Sequence, residues 1–238
     1  RVLEGPRADA AELRRAIVGR TLHGVDVQED AALLCALRLW LALAVESGGR
    51  QPIHPLPNLD RRIRQGDALI DPLDLAASGA DGGTDWRGLS VDRVVRQALR
   101  VIDPLAERYV SAEPEERPAL KRALAVAEAG LARGWIAAVE RRLGIRAAEL
   151  RAWAGSRDLF GEPVAGAAQA ERAWRAVEGR LAELRRLGEA IEESGALPFF
   201  SFGVHFADAA GRGFDVVLSN PPWVRAHRWP APLRELVR

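Results

Sequence analysis

Apolar residues recur along this chain with two different periods, and the change of period marks out its parts. In the middle the period is helical. Leu120, Leu124, Ala127, Leu131, Trp135 and Val139 recur at three- and four-residue steps, and so do Trp174, Val177, Leu181, Leu184, Leu187 and Ile191, with Arg and Glu filling the gaps. The spacing predicts amphipathic helices over Leu89 to Val110, Pro114 to Leu143, Ile145 to Leu159 and Ala167 to Glu193. Such stripes suit an antiparallel pair packed as a coiled-coil hairpin. Arg141, Arg142, Arg146 and Arg151 cluster there, but Glu140 and Glu149 dilute them, so the pattern reads as solvated helix faces rather than a DNA-contacting arm.

The two ends of the chain read differently. Ala8 to Val18 is a helix candidate closed by Gly19, and Leu22 to Val27 is strand-like. A strongly apolar helix from Glu29 to Ser47 follows, stopped by Gly48-Gly49. A Pro-rich loop, Gln51 to Asn58, leads to a second strand near Ile63 to Leu69. Strand, helix and strand in this order predict a parallel βαβ unit. Near the other end, the aromatic run Phe199 to Phe206 is expected to pack under a sheet. Phe214 to Leu218, introduced by Gly211 and Gly213, reads as a buried strand of a parallel sheet. The expected organisation is an α/β core in two pieces, residues 1–75 and 198–238, interrupted by a helical insertion at 76–197 that opens on the Gly/Asp-rich linker Ser78 to Gly83.

The candidate chemistry sits where the last strand stops, at Asn220-Pro221-Pro222-Trp223. Proline cannot continue a ladder, so the strand ends there, and in open α/β sheets ligands lie beyond the carboxyl ends of strands. An exocyclic amine on a purine or an amide is a poor nucleophile because its lone pair is delocalised. Two acceptors aimed at its N–H bonds favour the charge that builds on nitrogen during attack. The Asn220 side-chain oxygen and the Pro221 carbonyl can form that pair, with proline aiming the carbonyl in advance. Trp223 offers a face on which a planar group stacks, worth roughly 1–3 kcal/mol for an unstacked base. Upstream, Asp26 ends the first strand, where a carboxylate can accept from ribose hydroxyls. Asp67 follows the second strand, in Gly66-Asp67.

Asn220 to Trp223 resembles motif IV of the amino-group methyltransferases that use S-adenosylmethionine. That motif alone leaves adenine-N6, glutamine-N5 and guanine-N2 enzymes open. Leu22 to Val27 with Glu29 to Leu41 resembles motif II of the Eco57I-like family of adenine-specific methylases, found in restriction-modification and related phage-defence systems. Leu56 to Asp60 with Ile63 to Leu69 resembles the same family's motif III. The matches come in the family's order. The resemblance implies a partial Rossmann-like class I methyltransferase sheet acting on N6 of adenine in DNA, with the base flipped from the duplex. It implies that Asp26 and Val27 meet the cofactor's ribose region and that Asp67 accepts from its adenine amine with Ala68 beside the ring. It places Asn220, Pro221, Pro222 and Trp223 at the reacting amine. The family's Gly-rich motif I, expected ahead of motif II, has no counterpart here. Glutamine-N5 or RNA methylation, or a non-catalytic helical interaction module, are the other readings.

Composition adds limits. Among 238 residues there is no Met, Lys121 is the one Lys, and net charge is +1. The chain therefore reads as a region of a longer protein, inactive alone, with most DNA phosphate contacts, and any target-recognition or nuclease domain, elsewhere. Cys35, the single cysteine, reads as a buried small hydrophobe in an apolar helix, and the absence of a disulfide pair suits a cytoplasmic protein. The four histidines lack metal-ligand spacing, so no metal is expected, and no stretch is long and apolar enough to predict a membrane span.

Overall fold

Residues 10–46, 58–73, 91–110, 112–210 and 213–220 are described by the computed structural model. The element order is α1 (Ala10–Ala16), which runs into a wide π turn at Ile17–Thr21, then β1 (Gly24–Asp26), α2 (Glu29–Glu46), β2 (Ile63–Gln65), α3 (Val91–Val110), α4 (Arg117–Ala154), α5 (Ala167–Ser194), α6 (Phe202–His205) and α7 (Ala207–Ala210). Helix dominates these residues, and the sheet among them has two strands.

β1 and β2 are parallel, pairing Gly24 with Ile63, Val25 with Arg64 and Asp26 with Gln65. α2 is the crossover between them. It packs back through Ala32, Ala36 and Leu43 onto Leu59 and Ile63, with Leu39 and Trp40 at the rim. Asp26 accepts from the Gln28 amide at 2.8 Å and so fixes the turn into α2. The strands are shorter than the sequence pattern predicts, because Gly66 bends the chain immediately after Gln65. α2 also departs from expectation on its outer side. Leu33, Leu34, Leu37, Leu41 and Val45 are exposed, and so is Cys35, which is not the buried hydrophobe anticipated. The reason is geometric: the described residues cover the Ala32–Ala36–Leu43 side of a helix that is apolar nearly all round.

The helical middle follows its periodicity. Leu120, Leu124, Leu131, Trp135 and Val139 of α4 and Val177, Leu181, Leu184 and Ile191 of α5 are buried in one core with Ile102 and Tyr109 of α3. Arg151 stands 5.6 Å from the Trp174 ring, and Arg185 lies opposite Glu140 at 3.9 Å. Higher numbers on α4 thus meet lower numbers on α5, and the pair is an antiparallel hairpin. α5 is bounded by Gly166 and Gly195, both with positive φ (83° and 68°), a backbone region that glycine enters without penalty. One prediction is corrected here. The two helices expected at 114–143 and 145–159 are a single 38-residue helix that continues through Gly144. A glycine costs about 1 kcal/mol in a helix interior, and burial of Leu143, Ala147 and Leu150 on either side of it offsets that cost.

A second correction concerns residues 214–218. They form no strand and Phe214, Val216, Val217 and Leu218 are exposed, the last at 93 %. No described strand lies alongside to complete a ladder, so the β-forming pattern is present without its partner. The aromatic run before it is interior, as expected. Phe200 and Phe206 are buried in edge-to-face contact at 5.4 Å, and Phe206 meets the His23 ring just ahead of β1 at 4.7 Å.

Two glycine replacements test this packing. A Cβ on Gly66 would lie 2.2 Å from Phe200 Cβ, whereas one on Gly144 would meet nothing within 4 Å. Gly66→Ala is expected to destabilise by about 1–3 kcal/mol. Gly144→Ala is expected to stabilise by about 0.5–1 kcal/mol. Urea unfolding midpoints measure both.

Candidate functional site

The parallel register brings two acidic residues far apart in sequence to neighbouring strand ends. Asp26 closes β1, Asp67 lies two residues beyond β2, and the Gly66 amide donates to the Asp26 carbonyl at 2.8 Å. Gln65 Nε2 donates to the Val27 carbonyl at 3.3 Å, which stitches the two tips further. Each carboxylate spends one oxygen locally. Asp26 Oδ1 takes the Gln28 amide, and Asp67 Oδ1 takes the amides of Leu69 and Ile70 at 2.8 and 3.1 Å. These Asx-type turns fix the side chains, and both residues are exposed, each with its Oδ2 without a hydrogen-bond partner among the described residues. That donor-hungry arrangement suits ligand hydroxyl and amine groups.

Beside the tips lies a cavity of about 1020 Å³. Val27, Gly66 and Asp67 form its sheet-end wall, and Ala32, Ala36 and Trp40 of α2 form an apolar flank. Asp26 and Ala68 lie outside the lining, and both are exposed. The helical insertion also lines it, through Tyr109, Arg117 and Lys121.

This last contribution was not read from the sequence. The segment before β2 is held by the insertion at several points. Asn58 Nδ2 donates to the Tyr109 carbonyl at 2.5 Å and its amide to the Val110 carbonyl at 3.2 Å, which satisfies acceptors that the end of α3 would leave open. Tyr109 Oη donates to Asp60 Oδ2 at 2.6 Å, and Lys121 Nζ pairs with the same oxygen at 3.1 Å. Burial, reinforced by the hydrogen bond to Asp60, pushes the Tyr109 phenol well above its ordinary range. Glu128 of α4 is 4 % exposed and receives Arg64 Nη2 of β2 at 2.6 Å, with Arg61 Nε 4.0 Å away. Burial raises the Glu128 carboxyl, opposed by Arg64 and Arg61. A signal existed in the sequence. Glu128 occupies a helical step between Leu124 and Leu131, on a face otherwise apolar, and Tyr109 is the chain's single tyrosine.

The aromatic turn is locked to the same segment. Asp71 Oδ2 accepts from Ser201 Oγ at 2.7 Å and from the Phe202 amide at 3.1 Å. His205 stacks on Phe200 with ring centroids 5.2 Å apart, and its Nδ1 lies 3.0 Å from the Ser201 amide. Ser201, His205 and Asp71 are therefore not a hydrolytic triad, because the serine hydroxyl is bound to the aspartate and the imidazole to serine backbone. Burial, with Arg64 and Arg61 adding repulsion, lowers the His205 pKa to about 3, so the ring is neutral. His23 is likewise held at both nitrogens, by the Thr21 carbonyl at 3.0 Å and by Arg62 Nη1.

Of the motif at the last strand's end, Asn220 is described and exposed, while Pro221, Pro222 and Trp223 lie outside the described residues. Phe214 is anchored beside β1 by an edge contact with His23 at 5.4 Å. Among the described residues no cluster of three or more His, Cys, Asp or Glu could hold a metal ion. None of the described helices is long and apolar enough to cross a membrane.

A family model described as Eco57I restriction-modification methylase matches residues 20–234. No curated protein and no solved structure matches.

His205 makes stability depend on pH in a defined direction. Its folded pKa, about 3, is below the ordinary 6.5, so between those values the unfolded chain binds the proton the folded chain refuses. Its contribution is complete above pH 6.5 and is lost as pH falls toward 3, with a limiting slope of about 1.4 kcal/mol per pH unit. Glu128, with its pKa raised, acts in the opposite sense above 4.5. Denaturant titrations of wild type and His205→Leu from pH 7 to pH 4 are expected to show the steeper acid loss in wild type.

Proposed function

The chain belongs to the Eco57I restriction-modification methylase family, and from that premise we propose that it carries the core of an adenine-N6 DNA methyltransferase that takes its methyl group from S-adenosylmethionine. The observation that carries the reading is the register of β1 and β2. It sets Asp26 and Asp67 on adjacent strand ends, with Asp67 in the lining of the neighbouring cavity and Asp26 just outside it, which supports the cofactor roles proposed for them.

The residues present fit the cofactor. In this reading Asp26 Oδ2 would accept from ribose hydroxyls and Asp67 Oδ2 from the adenine amine, with Val27 and Ala68 as apolar neighbours of the sugar and ring; the oxygens left over from their local turns support it. Bound there, S-adenosylmethionine supplies an electrophilic methyl group. The chain's own work is at the other reactant. Asn220 and the Pro221 carbonyl accept the two N–H bonds of the target amine, Pro222 stiffens the corner, and Trp223 stacks on the extruded base. Acceptors aimed at the N–H bonds would stabilise the positive charge that develops on nitrogen as the N–C bond forms and the donor's S–CH3 bond breaks, with the thioether leaving and one N–H proton passing to solvent.

The proposed architecture is a class I, Rossmann-like sheet interrupted by a helical insertion, with residues 1–75 and 198–238 as core and 76–197 as insertion. In the order 3-2-1-4 of a doubly wound sheet, β2 and β1 take places 3 and 2, and residues 214–218 take place 4. One strand belongs between β1 and residues 214–218, and their exposed apolar side chains suit that neighbour. DNA is the proposed partner. A net charge of +1 gives this chain a small share of the phosphate contacts.

In the intact gene product, Asn220→Ala is expected to lower adenine methylation about 100-fold or more, with S-adenosylmethionine affinity within about twofold of wild type. Single-molecule methylome sequencing of cells carrying the gene reads the first quantity and calorimetry the second. Undiminished adenine methylation in the variant would falsify the role given to Asn220, and methylation found only on protein glutamine or RNA would overturn the substrate.

A further inference from the structure

We propose that the helical insertion is a working part of the cofactor site, with Tyr109 and Glu128 as positioning residues that hold the segment from Asn58 to Asp67 in its ligand-accepting geometry. The inference rests on the methyltransferase reading of the same cavity and goes beyond it by assigning a role to helices that the three motifs leave unused.

The first ground is mechanical. β2 is three residues long and pairs with a strand equally short, so six residues of parallel ladder define where Asp67 begins. An isolated two-stranded pair is marginal in water. What fixes β2 on the other side is the insertion. Arg64 in the middle of β2 is bound by Glu128, Asp60 by Tyr109 and Lys121, and Asn58 by the last carbonyls of α3. The interval from Asn58 to Gln65 is thereby clamped at three positions by two helices, and Asp67 follows two residues later.

The second ground is the nature of the clamp. A carboxylate 4 % exposed is an expensive way to hold α4 and β2 together, since a well-packed apolar group would cost less. What an ion pair and a tyrosine hydroxyl add is a fixed direction and a fixed partner. Glu128 selects one register of Arg64, and Tyr109 selects one rotamer of Asp60. The cavity supplies a third argument, since its lining takes in Tyr109, Arg117 and Lys121 of the insertion as well as Val27 and Asp67 at the strand tips. A ligand seated in that cavity would therefore touch the insertion as well as the Asp67 end of the strand pair. Docking of α3 and α4 and occupancy of the cavity are then linked, and linkage is reciprocal: what tightens the clamp tightens binding, and what binds tightens the clamp.

The experiment uses the intact gene product and S-adenosylmethionine as the probe. Calorimetry gives the cofactor Kd for wild type, Tyr109→Phe and Glu128→Gln, with Glu149→Gln, which loses an exposed pair with Arg146 farther along α4, as the control. Tyr109→Phe and Glu128→Gln are expected to weaken cofactor binding about fivefold or more while kcat at saturating cofactor stays near wild type, and Glu149→Gln to change neither. Amide exchange on wild type supplies a readout independent of how well any variant folds. Cofactor is expected to slow exchange in peptides spanning 105–125 as well as at the strand tips. If wild type binds cofactor but residues 105–125 gain no protection, or if folded Tyr109→Phe and Glu128→Gln bind it as wild type does, the coupling is refuted and the methyltransferase reading stands. If wild type binds no S-adenosylmethionine, both fall together.

Discussion

A parallel pair of three-residue strands cannot hold its own register, and the placement of both candidate carboxylates depends on what holds it. One contribution is local: α2 seals one face by setting Ala32, Ala36 and Leu43 against Leu59 and Ile63. The others come from distant parts of the chain. His23 takes Arg62 on one side, and Glu128 takes Arg64 on the other. Phe200 presses on Gly66 closely enough that no side chain fits there. The short strands are therefore a consequence of packing rather than its source.

Electrostatics and burial act together at this junction. Arg61, Arg62 and Arg64 crowd within four residues, two of them almost fully buried, and the region would be strongly repulsive without acids brought to it. Glu128 supplies one from α4. The same guanidiniums, with burial as the larger cause, keep His205 neutral, so the imidazole can lie flat on Phe200 in the interior without carrying charge. Charge balance at the junction thus decides that the insertion docks against β2 and that the aromatic turn packs beneath it.

The surface that remains apolar has a coherent place in this arrangement. The outward side of α2 and residues 214–218 both expose large aliphatic groups, and Phe214 ties the second of these beside β1 through His23. A helix apolar nearly all round suits cover on more than one side, and the described residues cover one side of α2.

Much was legible from residues alone because it is local. The three-and-four spacing located α4 and α5 and the side they bury, and α3 as a helix, since a helix needs only its own neighbours to repeat every 3.6 residues. The strand-helix-strand order gave the parallel pair, and Asp26 and Asp67 could be placed near strand ends because chain direction follows from the order of elements, although both strands are shorter than their pattern. Gly144 misled because its cost is small beside the burial on either side of it. Residues 214–218 misled because a β-forming pattern states a preference, whereas a ladder also requires a neighbour. The roles of Tyr109 and Glu128 were decided by tertiary structure, since each acts on a partner 49 or 64 residues away. Local order can be read from spacing along the chain; which acid meets which arginine, and which helix closes a cavity, exists only once distant segments have been packed together.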